Sequence, residues 1–200
     1  FIEGDCQDKS IIDRLGTETF EAIYHIAGQS SGEVSFENPV YDLQTNTQST
    51  LQLLSLCREI GCKKFIYASS MSVYGNVPDK PIDESQPTKP KSFYAIGKMA
   101  SEHYLRIYNE QFGIATAALR LFNVYGPGQN LSNMKQGMVS IFLAQALRDQ
   151  HIHVKGSEDR FRDFIYIDDV LHAFLATEKA LTPGANLLLN ICTGHKTYVS

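Results

Sequence analysis

The chain has no tryptophan, and its four cysteines, Cys6, Cys57, Cys62 and Cys192, fall into no metal-ligand spacing. Cys57 and Cys62 close a helical pattern and read as small buried residues of a reducing compartment, so neither a disulfide nor a metal is expected of them. His151 and His153 alternate without a carboxylate or thiol at metal spacing, which argues against zinc. No run approaches the 18 or so apolar residues of a spanning helix, and no signal peptide is visible, so a cytoplasmic location is expected. A basic excess is missing too: 18 Lys and Arg against 22 Asp and Glu leave a formal charge of −4. That removes the electrostatic footprint of a nucleic-acid binder, and any phosphate must be held by a few local groups. There is no internal repeat and no low-complexity segment. What is left, 43% hydrophobic and 20% charged residues over 200 positions, suits one soluble domain with part of a second. A starting methionine is absent, and both ends read as cut: FIEGD as the end of a strand, NICTGHKTYVS as a strand leading toward a helix.

Strand and helix patterns alternate along the chain. EAIYHIAG, from Glu21 to Gly28, reads as a buried strand, and a helix is expected from about Asn38 to Ile60, with Leu43, Leu51, Leu54 and Ile60 near helical spacing. KKFIYASS is the next strand, and Met71 to Ser92 a long proline-bearing loop. Phe93 to Phe112 reads as a helix that Gly113 ends in a left-handed cap. Then come the strand IATAALRLFNVYG, a helix from Lys135 to Arg148, a short strand HIHVKG, the segment FRDFIYIDD leading into a helix from Asp168 to Ala180, and a last strand NLLLNICTG. Asp168 or Asp169 is expected to cap that helix. The alternation predicts an α/β fold: a Rossmann-like parallel sheet with helices on both faces, plus part of a smaller substrate-binding domain. Ligands of such sheets bind beyond the carboxyl ends of the strands, where Gly28, Ser69, Ser70 and Asn123 fall.

Within SFYAIGKMASEHYL, Tyr94 and Lys98 stand four apart and share a helix face. A tyrosine with an ordinary pKa of about 10 becomes a usable base when a neighbouring ammonium favours the phenolate. Such a pair suits proton removal from a hydroxyl coupled to oxidation at the same carbon. An i,i+4 Tyr/Lys pair also arises by chance in many helices. Ser69 and Ser70, ending a strand upstream, supply hydroxyls at the same sheet edge.

The ordered series ASSMSVYG, SFYAIGKMASE, LRLFNVYGPGQ and RFRDFIYIDDV resembles the extended short-chain dehydrogenase/reductase family, and within it the NAD-dependent nucleotide-sugar epimerases and dehydratases. The resemblance covers essentially the whole chain. It implies NAD as cofactor, Tyr94 as catalytic base, Lys98 as its partner and Ser70 as the third member of the catalytic trio. It implies cofactor contacts at Asp5, Cys6, Ala27, Gly28, Asn46, Ser69, Tyr94 and Lys98. It implies substrate contacts at Ser70, Asn123, Gly137, Met138 and Arg162, with Arg162 on a diphosphate, Arg160 a weaker candidate, and Asp163 orienting Arg162 or binding the next loop's backbone. Residues 130–136 are expected to form a flap near the base. The family's glycine-rich pyrophosphate turn is implied to lie upstream of Phe1. Residues 1–125 are then the NAD-binding domain and 126–200 nucleotide-sugar-binding elements interleaved with a returning strand and helix. Close epimerases carry a lysine just after the Ala-Gly pair, whereas this chain has Gln29 and Ser30. The family's dehydratases follow the catalytic Ser/Thr with Asp and Glu, and here Met71 and Ser72 stand instead, which argues against loss of water. The implied activity is therefore that of an NAD-dependent epimerase acting on a nucleotide sugar, with C4 of a UDP-hexose favoured and a 4-keto intermediate. Another reductase, epimerase or decarboxylase of nucleotide sugars, or a non-catalytic NAD-binding relative, stays open. The partners implied are the nucleotide sugar and a second copy of the chain in a homodimer, with no nucleic acid and no membrane. His25, inside a strand, reads as a packed, hydrogen-bonded group, and His103 as lying on the far face of the tyrosine helix.

Overall fold

A computed structural model describes residues 1–77, 79–154, 157 and 160–198. Strands β1 (Ala22–His25), β2 (Lys64–Ser70), β3 (Ala115–Leu121) and β7 (Asn186–Ile191) form a parallel sheet in the order β1-β2-β3-β7. The alternation within β2 explains its two covered faces. Phe65 and Tyr67 point into a core shared with α4 (Ser49–Glu59) and α5 (Phe93–Phe112), through Leu54, Cys57 and Leu105. Ile66 and Ala68 point the other way, into a core closed by Val170 and Phe174 of α7 (Ile167–Ala180). Burial on both faces is what a parallel sheet requires.

Helix α5 has the limits its sequence announces. The Ser92 side chain accepts from the Ala95 amide at its start, and Gly113, at φ 68°, donates its amide to the Asn109 carbonyl at its end. The expected helix from Asn38 to Ile60 exists as one helical run with an interruption. Pro39–Asp42 (α3) is followed by a π-helical turn, Leu43–Gln48, before α4. Two short helices, α1 (Lys9–Leu15) and α2 (Gly32–Glu37), come additionally. Ser70 caps a 3-10 turn, Met71–Tyr74, at the head of the long loop.

The last third adds two small two-stranded sheets, and the expected strand IATAALRLFNVYG is divided between β3 of the main sheet and β4 (Asn123–Tyr125). β4 pairs in parallel with β6 (Phe164–Tyr166), and β5 (Phe161–Arg162) pairs antiparallel with β8 (Thr197–Tyr198). Three further expectations are corrected here. Helix α6 runs Met138–Asp149 rather than from Lys135, because Gly137 sits at φ 82° and ends the preceding turn. Residues 151–154 form no strand: Gln150 turns the chain at φ 53°, and the His153 amide donates to the Gln145 side chain (3.0 Å) instead of to a sheet. The rest of that expected strand, 155–156, lies outside the described residues. Neither Asp168 nor Asp169 caps α7: β6 runs straight into the helix with Tyr166 at the cap position, which leaves both carboxylates inside the first turn, where they face the positive helix end.

Candidate active site

Tyr94 and Lys98 both lie in the first half of α5 and are both buried, at 9% and 5% exposure. The Lys98 ammonium donates to the Ala68 carbonyl (2.9 Å), two residues before Ser70 on β2. It also sits 4.7 Å from the Tyr67 ring centre and 5.6 Å from that of Tyr94. Its burial lowers its pKa below the ordinary lysine value, and Tyr94 and Asp42 oppose that by favouring the cation. Ser70 Oγ accepts from the Ser72 amide (3.2 Å) and from Ser72 Oγ (3.0 Å), so its own proton is the part left to donate. Ser69, the next residue, turns to the opposite face and gives its hydroxyl proton to Glu102 (2.5 Å).

At the neighbouring strand end, Asp5, Cys6, Ala27 and Gly28 line one cleft of about 490 Å3 together with Glu3, Gly4, Gln7, Tyr41 and Thr45. Gly28 has φ 147°, and a Cβ there would lie 2.5 Å from Asn46 Oδ1. Asn46 itself, in the π turn, donates to the Gln29 carbonyl (2.9 Å) and to Asp42 Oδ1 (3.1 Å). Its Oδ1 is buried with no hydrogen-bond partner among the described residues. An orphaned acceptor beside a glycine cradle fits a ligand that brings a donor to this cleft. The π turn also meets α5 at Gly97, where a Cβ would come within 3.0 Å of Thr47 Oγ1. The Asn46 shelf and the Tyr94/Lys98 face thus share one helix–helix contact.

On the other side, Asn123 donates its side-chain amide to the Asp163 carbonyl (2.8 Å) and approaches Met71 Sδ (3.7 Å). Asp163 does not bind Arg162. Its carboxylate accepts from Thr193 N (2.9 Å), Thr193 Oγ1 (2.8 Å) and Gly194 N (2.7 Å), the backbone of the loop after β7. Arg162 gives one bond to its neighbour's carbonyl, Phe161 O (2.8 Å), and Arg160 Nε is buried with no hydrogen-bond partner among the described residues. Neither arginine has an ion pair among the described residues. Burial first, and the charge of Arg160 second, push the Arg162 pKa below the ordinary value. Gly137 and Met138 begin α6 beyond the 130–136 segment. That segment reaches back to the glutamine-serine loop: Gln136 Nε2 donates to Ser30 Oγ (2.6 Å), and Lys135 pairs with Glu37 of α2 (2.6 Å).

Three participants carry no sequence signal of their own. Asp42, 1% exposed, accepts from Gln29 Nε2 (2.7 Å) and Asn46 and so holds the shelf under Gly28. Its burial raises its pKa, against the opposing bonds from Gln29 and Asn46 and the charge of Lys98. Tyr41, at the end of α3, and Thr45, in the π turn, also line the cleft.

Comparison with known proteins gives a consistent picture. The profile of the NAD dependent epimerase/dehydratase family matches residues 1–192. The crystal structure of Thermotoga maritima UDP-glucose 4-epimerase with UDP-glucose superposes with a TM-score of 0.92 at 35% identity, over 100% of this chain and 64% of that one. The Thermus thermophilus UDP-glucose 4-epimerase complex with NAD superposes at 0.85 and 33% identity, over 98% and 64%. Human dTDP-D-glucose 4,6-dehydratase is 34% identical over 185 residues, 92% of this chain and 52% of the human protein. The chain thus spans between about half and two thirds of the length of these relatives.

Proposed function

The chain belongs to the NAD-dependent epimerase/dehydratase family, and on that premise we propose that the protein binds NAD and epimerises a nucleoside-diphosphate sugar, at C4 of a UDP-hexose, through a 4-keto intermediate. The observation that carries this reading is the buried Lys98 ammonium, held on the Ala68 carbonyl beside the Tyr94 ring at the carboxyl end of β2. Bound NAD supplies a reversible two-electron acceptor at C4, so the cycle has no net redox change. Asp5, Cys6, Ala27 and Gly28 would hold it, with Asn46 beneath Gly28 setting that loop through its bond to the Gln29 carbonyl. Tyr94 takes the proton of the sugar 4-hydroxyl and returns it to the 4-oxygen once the ketone has presented its second face. Lys98 favours the phenolate by its charge. Ser70 donates its free proton to the sugar oxygen. Arg162, with Arg160 behind it, neutralises the diphosphate, about which the ketone turns to present its second face.

Dehydration is disfavoured on the same residues. Met71, packed on Asn123, has no proton to exchange, and the Ser72 hydroxyl is bonded to Ser70. The partners of this reading are the nucleotide sugar and a second copy of the chain. The test is Tyr94→Phe in the full-length protein. Turnover of UDP-glucose should fall by about 10²- to 10⁴-fold while sugar-nucleotide binding stays at the parent level. Parental turnover would remove Tyr94 from the role of base.

A further inference from the structure

We infer that the buried Glu102–Arg120 ion pair is a positioning device that clamps the segment bearing Ser70 against the helix bearing Tyr94 and Lys98. The inference rests on the reaction proposed above. Glu102 lies one helical turn beyond Lys98 on α5, and Arg120 lies on β3. They meet through two bonds, Nε to Oε1 (2.9 Å) and Nη2 to Oε2 (2.7 Å), with side chains only 4% and 9% exposed. What each partner does with its remaining capacity is the informative part. Glu102 Oε1 also accepts from Ser69 Oγ (2.5 Å). Arg120 Nη1 donates to Tyr74 OH (2.8 Å), which donates in turn to Asn190 Oδ1 of β7 (2.7 Å). Ser69 and Tyr74 bracket Ser70 and the 3-10 turn that follows it. The pair therefore grips that segment at both ends and ties it to α5, β3 and β7 at once.

A buried pair is poor evidence for stability, because desolvation offsets much of its attraction and apolar replacements are often neutral. A satisfied network that converges on one short segment specifies geometry instead. The quantity at stake is where Ser70 sits relative to Tyr94, and misplacement by about 1 Å costs on the order of 10²-fold in rate.

The test uses the full-length protein with UDP-glucose and three variants: Arg120→Lys, which keeps the charge but not the fork, Glu102→Gln, and the milder Tyr74→Phe. In Arg120→Lys and Glu102→Gln, kcat should fall about 10²-fold with KM within about threefold and bound NAD unchanged. Tyr74→Phe, which loses one hydroxyl and should fold normally, should lose roughly three- to tenfold in kcat. Folded variants with parental kcat and only a lower melting temperature would overturn the inference, as would a change confined to KM. A parent protein that turns over no nucleotide sugar would refute the proposed reaction alone. Crystal structures of parent and Arg120→Lys then decide: a displaced Ser70 turn relative to Tyr94 supports the clamp, and superposable turns overturn it.

Discussion

His25 shows how a residue beside the sheet's first strand end can report on the fold without a part in the proposed chemistry. It is buried, with Nε2 3.1 Å from Thr50 Oγ1 and 3.4 Å from Ser49 Oγ. Each hydroxyl already gives its proton to a carbonyl, Thr50 to Asn46 O and Ser49 to Thr45 O, both at 2.6 Å. Both can therefore only accept from the ring, which fixes the neutral tautomer with hydrogen on Nε2. Burial first, and the Lys98 charge second, hold its pKa down at about 3. Above pH 6.5 the ring is neutral in both folded and unfolded chains and adds no pH dependence. Below that, the unfolded chain takes a proton that the folded one refuses. Stability should then fall by about 1.4 kcal/mol per pH unit down to about pH 3 from this residue alone. Urea unfolding of parent and His25→Gln between pH 7 and 4 measures it, and equal slopes would contradict the assignment. At Gly28 the expected outcome is different in kind. Gly28→Ala forces a Cβ onto Asn46 Oδ1 at an unfavourable φ, and copurified NAD should drop severalfold in a protein that still folds. Unchanged NAD content would detach this cradle from the cofactor.

Among the elements, α5 was legible because every local signal agreed: a serine before it, a glycine after it, and Tyr94 and Lys98 on one face by spacing alone. The run from residue 38 to 60 was legible in extent and not in form. Its middle, TNTQST, is poor in helix formers, and the structure uses that. The hydroxyls of Ser49 and Thr50 reach back to the Thr45 and Asn46 carbonyls, supporting a π turn of the kind often found at functional sites. Thr50→Val removes bonds to Asn46 and His25 together and should cost about 1–3 kcal/mol in unfolding free energy by urea titration. A cost near zero would show that the turn does not depend on that hydroxyl. The partners of Ser69 and the holder of Asn46 were beyond sequence reading for one reason. Glu102 and Arg120 sit on α5 and β3, far from Ser69 in sequence, and Asp42, though one turn from Asn46, is tied into the shelf by Gln29, thirteen residues away. The segment 151–154 reads as alternating, yet it pairs with no strand among the described residues.

At the scale of the whole molecule, the two-faced parallel sheet and the Tyr94/Lys98 pair at its carboxyl edge followed from the alternation of elements, because a buried sheet constrains every strand at once. Phe36, Val40, Leu43, Phe93 and Ile96 form an exposed apolar strip along α2, α3, the π turn and α5, with Phe36 and Phe93 in ring contact at 5.8 Å. If this face joins two copies, as the proposed homodimer requires, Val40→Glu with Leu43→Glu should shift the full-length protein to monomer in light scattering. An unchanged mass would exclude that face. No helix among the described residues is long and apolar enough to cross a membrane. The central claim concerns one carbon of the substrate, and isotope tracing reaches it most directly. Full-length protein incubated in ordinary water with UDP-glucose deuterated at C4 should yield the C4 epimer with the deuterium still on C4. Loss of the label to solvent, or a 4-keto-6-deoxy product, would contradict removal and return at a single carbon beside Tyr94.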